Sequence, residues 1–243
     1  MLTSLKIPKI IGHRGAKGYA PENTLVSFRK ARELQATWVE FDVKETEDGV
    51  LVIMHDDDLD RTTNGKGPMI KSKWNDIKKL DAGSWFHSAF SNEKIPTLEE
   101  SFLLLSELNL GANIEIKPCP TRDKRTAIAV ANEIKNKWPK NLPPPLLSSF
   151  SMISLAAVKE VDPNIIIGAL FETLPQDWKK IAIEVDAKTI HLNHEIVTHK
   201  MATEIIEEGY PILTYTVNDK NRAQELFKMG VTAIITDYPW DEL

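Results

Sequence analysis

The sequence predicts an α/β protein, specifically a TIM-type (β/α)8 barrel with a small insertion after the second strand. Short runs rich in apolar and β-branched residues alternate with longer amphipathic stretches, which is the pattern of parallel βαβ units. The chain has 243 residues, and about 250 residues is typical of one closed barrel. We therefore expect 1–243 to form a single domain. An open, doubly wound sheet is the alternative fold.

Eight runs are predicted to be barrel strands. They are Lys9–Ile11, Trp38–Val43, Asn113–Ile116, Leu146–Ser148, Ile165–Leu170, Thr189–Leu192, Ile212–Val217 and Ala233–Thr236. The predicted helices are Leu25–Leu34, Thr97–Leu108, Arg122–Trp138, Met152–Val161, Asp177–Ile183, Val197–Glu208 and Asp219–Met229. Thr97 with Glu100 fits a capping box. Gly209 and Gly230 stand where helices should end.

One apolar run, Val50–Met54, breaks the alternation because it follows the second strand after a short acidic link. No helix fits in that link, so the return must be antiparallel. The link ends in Asp48-Gly49, and Asp-Gly favours a two-residue hairpin turn. Such a turn would place His55 directly opposite Asp42, a histidine beside a carboxylate.

The segment 56–96 is the least regular part of the chain. It carries turn signals such as Asn64-Gly65 and several aromatic residues. We predict that it is an insertion folded over the barrel mouth, too short for a core of its own.

Composition narrows the range of partners and cellular locations. The net charge is −5 and no basic block stands out, so nucleic acid and stable association with an anionic membrane are not expected. No run approaches the roughly 20 apolar residues of a membrane span, and Met1–Ile10 lacks the apolar core of a signal peptide. Cys119 is the single cysteine. A cytoplasmic monomer or homodimer is expected.

Acidic residues gather at the predicted carboxyl ends of strands, where barrels of this type carry their active sites. Glu40 and Asp42 are two residues apart on one strand, so their side chains share a face. Glu115 repeats this spacing with Lys117 on the next parallel strand. Any one such pair is about as well explained by a structural ion pair. Three carboxylates together without a cysteine ligand favour a hard-oxygen site for Mg²⁺ or Ca²⁺, with Mn²⁺ as a further option.

Basic and imidazole groups surround this predicted metal site. His13 ends the first strand, and Arg14 beside it offers the planar donors that suit phosphate oxygens. Lys117 adds an ammonium group and His55 a second imidazole. Because histidine titrates near neutral pH, the pair can supply one base and one acid. A metal, two cations and two imidazoles together indicate cleavage of a phosphodiester.

Other polar residues at the strand ends have weaker claims. His191 and His194 are interpreted as core or loop residues rather than ligands. Ser148 and Ser149 have no glycine-flanked elbow, which disfavours a serine hydrolase.

Several motifs, in order along nearly the whole chain, resemble the glycerophosphodiester phosphodiesterase family, in particular its short cytosolic bacterial members. They are His13-Arg14-Gly15, Ala20-Pro21-Glu22-Asn23-Thr24, Glu40-Phe41-Asp42-Val43, Val52-Ile53-Met54-His55-Asp56, Leu59-Asp60-Arg61-Thr62-Thr63, Ile95-Pro96-Thr97-Leu98-Glu99-Glu100, Asn113-Ile114-Glu115-Ile116-Lys117, Ser148-Ser149-Phe150-Ser151, Thr214-Tyr215-Thr216-Val217-Asn218 and Ile234-Ile235-Thr236-Asp237-Tyr238-Pro239.

The resemblance implies a metal-dependent hydrolysis of glycerophosphodiesters to sn-glycerol 3-phosphate and an alcohol. It implies Glu40, Asp42 and Glu115 as metal ligands, His13 and His55 as the acid–base pair, and Arg14 and Lys117 as phosphate contacts. Within that picture we favour His13 as base and His55 as acid. One departure is Tyr215, where the family often has tryptophan, and this residue bears on alcohol preference.

Three other functions compete with this one. A phospholipase C- or D-like enzyme acting on phosphoinositides or lysophospholipids would keep the same site, but no basic amphipathic helix is evident. A binding protein with a lost active site is disfavoured because all seven expected residues are present. A metal-dependent amide hydrolase would be expected to use several histidine ligands.

Overall fold

The computed structural model describes residues 6–239 and shows nine strands in one sheet. The strands are β1 (Ile10–Gly12), β2 (Trp38–Glu45), β3 (Leu51–Ile53), β4 (Gly111–Ile116), β5 (Leu146–Ser149), β6 (Ile166–Phe171), β7 (Thr189–Asn193), β8 (Ile212–Tyr215) and β9 (Ala233–Thr236). All except β3 run parallel, and β1 pairs with both β9 and β2. This closure confirms the TIM-type barrel and makes the open-sheet alternative wrong. Residues 1–5 and 240–243, which belong to the predicted domain, lie outside the described range, and so does the first half of the stretch Met1–Ile10 in which no signal peptide is expected.

Among the described residues, seven α-helices connect consecutive barrel strands, and one further short helix lies within 56–96. They are α1 (Leu25–Glu33), α2 (Trp74–Ile77), α3 (Leu98–Leu108), α4 (Asp123–Lys137), α5 (Met152–Val161), α6 (Trp178–Glu184), α7 (His199–Glu207) and α8 (Lys220–Lys228). The predicted capping box of Thr97 and Glu100 is formed at α3. Gly209 and Gly230 follow α7 and α8 with φ of +85° and +93°. Within residues 6–239, no helix is long and apolar enough to cross a membrane.

The main core lies between the barrel and its surrounding helices. Phe41 and Val43 of β2 are fully buried in this layer. Because side chains alternate along a strand, Glu40 and Asp42 point to the opposite face, inside the barrel. A strand buried on both sides normally carries apolar residues on both. The acidic inner face of β2 is therefore a departure that stability alone does not explain.

The hairpin formed by β2 and β3 differs from its prediction by one residue. The chain turns through a three-residue loop, 47–49, in which Gly49 adopts a φ of +90°. A left-handed residue ending a three-residue loop is the next commonest hairpin connection after the two-residue turn. The Met54 backbone N–H donates to the Asp42 carbonyl at 3.0 Å. The predicted pairing of His55 with Asp42 is therefore wrong, and His55 lies one residue beyond that position.

The segment 56–96 contains the short helix α2 and two 3-10 turns. A second cluster of buried apolar residues lies beneath it and consists of Val52, Met54, Leu59, Met69, Ile77, Ala82, Ile95 and Cys119. Val52 and Met54 belong to the β3 return, and Cys119 follows β4. The segment thus builds its small core jointly with the barrel's edge.

Candidate active site

Three buried carboxylates from two neighbouring strands form the centre of the site. Glu40 and Asp42 lie on β2, and the parallel register places Asp42 beside Glu115 of β4. Their side chains offer oxygen atoms that all lie within 4.8 Å of one another. All three residues are buried, with at most 8% of their surface exposed. The predicted acidic group is thus assembled by strand register alone.

The electrostatics of this acidic group suit a divalent cation. Burial, followed by the charges of Asp42 and Glu115, raises the pKa of Glu40 well above its usual range. Burial and the charge of Asp42 also raise the pKa of Glu115 to about 7. Burial opposes ionisation of Asp42 too, but the cations of Arg14 and Lys117 hold its pKa below the usual range. The protein's own cations do not stabilise all three anions, and carboxylate oxygens are the ligands that hard divalent cations prefer. The residues therefore fit such an ion.

Arg14 and Lys117, the two predicted phosphate contacts, already touch the acidic group. The Arg14 backbone N–H donates to Glu40 Oε2 at 3.0 Å, and its Nε lies 3.3 Å from Asp42 Oδ2. Lys117 Nζ lies 3.2 Å from Glu115 Oε1 and 3.6 Å from Asp42 Oδ1. Arg14 Nε is buried without a hydrogen-bond acceptor in good geometry. Both cations therefore reach the space where an anionic ligand would meet the carboxylates.

Two residues of the site adopt left-handed backbone conformations. Arg14 has a φ of +48° and Asn23 a φ of +58°. Such conformations cost a non-glycine residue about 1–2 kcal/mol and concentrate at functional sites. Here they are held by hydrogen bonds, because Asn23 N–H donates to the Arg14 carbonyl and Asn23 Nδ2 donates to Asp42 at 2.8 Å. The loop after β1 is thus shaped to present Arg14 to the acidic group.

Each of the two predicted catalytic histidines is paired with an aspartate. His13 Nδ1 lies 2.6 Å from Asp237 Oδ1, and its Nε2 lies 3.9 Å from Glu40 Oε2. His55 Nδ1 lies 2.6 Å from Asp56 Oδ1. The ring of His13 is 11% exposed and that of His55 is 28% exposed. The structure therefore brings both imidazoles to the site. His55 reaches it through a hairpin register that differs by one residue from the predicted one.

Both imidazoles favour the neutral form in this environment. Burial lowers the pKa of His13, against the opposing effect of its bond to Asp237. Burial also lowers the pKa of His55, where the charge of Asp42 opposes the shift and the Arg14 cation adds to it. A neutral histidine carries one free nitrogen lone pair, so it can accept a proton. The neutral form therefore suits a base, whereas the histidine that acts as the acid must first take up a proton.

Five polar residues that shape the site were not predicted to belong to it. They are Glu22, Asn23, Asp56, Arg61 and Asp237. Arg61 donates to both Glu22, at 2.7 Å, and Asp56, at 2.6 Å, while Glu22 also accepts from Arg14. Asp56 could have been identified because it adjoins His55 in the chain, and Asp237 because it follows the last barrel strand. Nothing in the hydrophobic pattern indicated that the loop residue Glu22 is buried.

The site opens into two connected spaces. A cavity of about 310 Å³ is lined by both histidines, Glu40, Glu115, Tyr215 and others. It shares His55, Glu115, Lys117 and Phe150 with a larger groove of about 910 Å³, whose far wall includes Asp60 and Arg61. His191 and His194 line neither space; His191 is fully buried in the barrel and bonds Thr189. The cavity has room for a small phosphodiester across the acidic group.

Comparison with known proteins places the chain in a family. The family model for glycerophosphoryl diester phosphodiesterases matches residues 13–240. A glycerophosphodiester phosphodiesterase from Caldanaerobacter subterraneus subsp. tengcongensis is 35% identical over 237 residues, covering 95% of this chain and 94% of that protein. A glycerophosphodiester phosphodiesterase from Bacillus subtilis is 34% identical and covers 94% of this chain and 83% of its own length.

A solved structure supports the same family. A phosphodiesterase from Oleispira antarctica, solved in complex with the product sn-glycerol-3-phosphate, has 37% sequence identity and a TM-score of 0.93. The match covers 96% of this chain and 94% of that one. The chain therefore belongs to the glycerophosphoryl diester phosphodiesterase family, and the enzyme class that the sequence predicted is confirmed.

Proposed function

We propose that this chain hydrolyses glycerophosphodiesters to sn-glycerol 3-phosphate and an alcohol with the help of one divalent cation. The observation that carries the proposal is the meeting of a buried acidic triad and two histidine–aspartate pairs at one cavity. The product named for the Oleispira relative supports the same substrate class.

In this proposal Glu40, Asp42 and Glu115 hold the cation, which is Mg²⁺ or Ca²⁺ with Mn²⁺ as a further option. When bound, the ion supplies positive charge that stabilises the negative charge developing on the phosphoryl oxygens. Arg14 and Lys117 add to that stabilisation from the protein side, because both lie within reach of the same space. Such fixed charges act strongly where water is excluded.

The histidines move the protons of the reaction. An oxygen nucleophile, either water or a hydroxyl of the glycerol, bonds to phosphorus and gives its proton to His13. The bond from phosphorus to the alcohol oxygen breaks, and His55, which enters the step in its protonated form, donates a proton to that oxygen. Exchange with solvent, or the second step of the cyclic route, then returns both histidines to their starting protonation states. If the glycerol hydroxyl attacks first, a cyclic phosphate forms and water then opens it in a second step. Either route consumes one water and releases glycerol 3-phosphate and the alcohol.

The remaining expectations from the sequence stay proposals. We propose that the segment 56–96 forms one side of the barrel mouth as part of a single domain, since Asp60 and Arg61 line the groove beside the site. We also propose a cytoplasmic monomer or homodimer that binds neither nucleic acid nor membranes stably.

A panel of glycerophosphodiesters assayed with different divalent cations tests the function. We expect release of glycerol 3-phosphate that a chelator abolishes and Mg²⁺, Ca²⁺ or Mn²⁺ restores. Lysophosphatidylcholine and a phosphoinositide serve as comparison substrates, and preferential turnover of either would favour the phospholipase function instead. Absence of glycerol 3-phosphate release from every diester would contradict the proposal.

A further inference from the structure

The position of Asp237 follows from the closure of the barrel. Strands β1 and β9 are parallel neighbours, with Gly12 beside Thr236. The residues that follow are His13 and Asp237, so strand register alone sets them side by side. The His13 backbone N–H donates to the Thr236 carbonyl at 2.7 Å, so the backbone pairing of the two strands continues up to His13 and Asp237. The 2.6 Å contact between His13 Nδ1 and Asp237 Oδ1 is therefore built on backbone that two strands hold in place.

The Asp237 carboxylate is itself held at both oxygens. Oδ1 contacts the imidazole, and Oδ2 accepts a hydrogen bond from Asn218 Nδ2 at 2.8 Å. Asn218 also accepts from the Asp237 backbone N–H through its Oδ1 at 2.9 Å, so the two residues bond reciprocally. Lys17 Nζ lies 3.8 Å from Oδ1. The carboxylate therefore has little freedom to rotate away from His13.

This contact decides which ring nitrogen of a neutral His13 carries the proton. Burial opposes ionisation of Asp237, but the bond to His13 and other nearby donors hold its pKa below the usual range, so the group is an anion. An ionised carboxylate can only accept hydrogen bonds, so Nδ1 must be the protonated nitrogen. The free lone pair then lies on Nε2, the nitrogen that faces Glu40 and the cavity.

We propose that Asp237 is a positioning residue that fixes the tautomer and ring orientation of His13, and that Asn218 holds Asp237 for this task. The inference rests on the proposed function, in which the free nitrogen of His13 accepts a proton. Asp237 need not touch the substrate. In the wrong tautomer the Nε2 atom carries a hydrogen and cannot act as a base.

The decisive variant is Asp237→Asn, which keeps the shape but offers an amide that can donate to Nδ1. We expect kcat to fall on the order of 10²–10⁴-fold with KM little changed, because substrate contacts remain. Asn218→Ala should give a smaller loss of the same kind. Asp219→Asn is the matched control: Asp219 carries the same charge, adjoins Asn218 in the loop between β8 and α8, and lies at the N-cap of α8, where asparagine retains capping ability. It should behave as wild type.

A spectroscopic measurement separates positioning from general damage. Imidazole ¹⁵N chemical shifts distinguish the two neutral tautomers, so histidine-labelled, Mg²⁺-loaded protein can be compared at alkaline pH, where histidine is neutral. The wild type should show His13 protonated at Nδ1, and Asp237→Asn should show a mixture or the opposite form. Spectra of chelator-treated protein give the same readout without depending on activity. The His13 signals are identified by their absence from the spectrum of His13→Gln.

Two outcomes would overturn the inference. One is wild-type kcat in Asp237→Asn; the other is a wild-type His13 spectrum with the proton on Nε2. If Asp237→Asn fails to fold, the kcat of Asn218→Ala and the wild-type spectrum still test whether Asp237 fixes the tautomer of His13. An inactive wild type with the Nδ1–H tautomer would instead count against the proposed function, so the two failures are distinguishable.

Discussion

The two histidines of the site are held by different parts of the molecule. His13 and Asp237 stand 224 positions apart in the chain, yet adjacent barrel strands set them side by side, and both side chains are at most 15% exposed. His55 and Asp56 are neighbours in sequence, follow the β3 return, and are 25–28% exposed. The barrel therefore fixes one imidazole through backbone pairing, whereas side-chain contacts fix the other.

The difference lies in what holds each aspartate. Asp237 is held by the amide of Asn218. Asp56 is held by the guanidinium of Arg61, which is 44% exposed and also binds buried Glu22. Exposed ion pairs contribute little and weaken with salt, but a bidentate network anchored on a buried carboxylate is stronger. We infer that the barrel side is rigid and that the His55 side depends on the segment 56–96.

The largest expected effect concerns the acidic triad that lies between the two sides. Glu115→Gln and Asp42→Asn should each lower kcat/KM on the order of 10³-fold or more, because a bound cation supplies several kcal/mol of transition-state stabilisation. Steady-state release of glycerol 3-phosphate at several Mg²⁺ concentrations measures this. Glu133→Gln is the control, because Glu133 is half-buried on α4 and pairs with Lys137. Near-normal turnover in both triad variants would show that catalysis does not need a cation held by the triad.

The next largest effect separates the roles of the two imidazoles. His13→Gln and His55→Gln should each lower kcat on the order of 10²–10⁴-fold with the fold intact. A diester whose leaving group is nitrophenolate needs little protonation, so it should restore much of the rate to His55→Gln but little to His13→Gln. Comparing both diesters in both variants is the measurement. Rescue of His13→Gln instead would reverse the assignment of base and acid.

A smaller effect is expected on the His55 side alone. Arg61→Met removes the donors that hold Asp56 and Glu22, and we expect about a tenfold loss of kcat/KM, equal to about 1.4 kcal/mol. This loss of kcat/KM should change less with salt concentration than the effect of breaking an exposed ion pair would. Arg29→Met is a matched control, because Arg29 is similarly exposed and pairs with Glu107. Equal behaviour of the two variants would mean that Arg61 does not support the site.

A final prediction concerns the barrel interior. Burial lowers the pKa of His191 from 6.5 to about 3, so below about pH 6.5 the unfolded chain binds a proton that the folded chain does not. This residue should therefore lower the free energy of unfolding by about 1.4 kcal/mol per pH unit as the pH falls from about 6 to 4. Urea unfolding of wild type and His191→Gln at several pH values measures the difference. Parallel pH dependences would contradict a neutral, buried His191.

Much of the barrel side was predictable because periodicity encodes it. The i, i+2 spacing of Glu40 and Asp42, and of Glu115 and Lys117, is enough to place their side chains on one face of adjoining strands. Strand ends also marked His13 and Asp237. The closed barrel that the sequence predicts sets the first strand beside the last, but composition and spacing do not specify the register between β1 and β9, which places His13 level with Asp237. Only the fold supplies that contact.

The His55 side was harder to predict because local turn chemistry controls it. A three-residue loop ending in Gly49 and a two-residue Asp48-Gly49 turn read alike in sequence, yet they differ by one residue in register. The segment 56–96 is shaped by side chains that bond to backbone, as at Asp81, which accepts from the N–H groups of Gly83, Ser84 and Asn92. Such bonds leave no periodic signal.

Calorimetric titration of the chelator-treated protein with Mg²⁺, Mn²⁺ or Ca²⁺, run beside an assay of glycerol 3-phosphate release, shows whether the acidic triad binds the cation on which activity depends. We expect at least one of these ions to bind once per chain, Glu115→Gln to lose that binding, and activity to rise in proportion to site occupancy. Full activity in the presence of chelator, or unchanged binding in Glu115→Gln, would contradict this expectation.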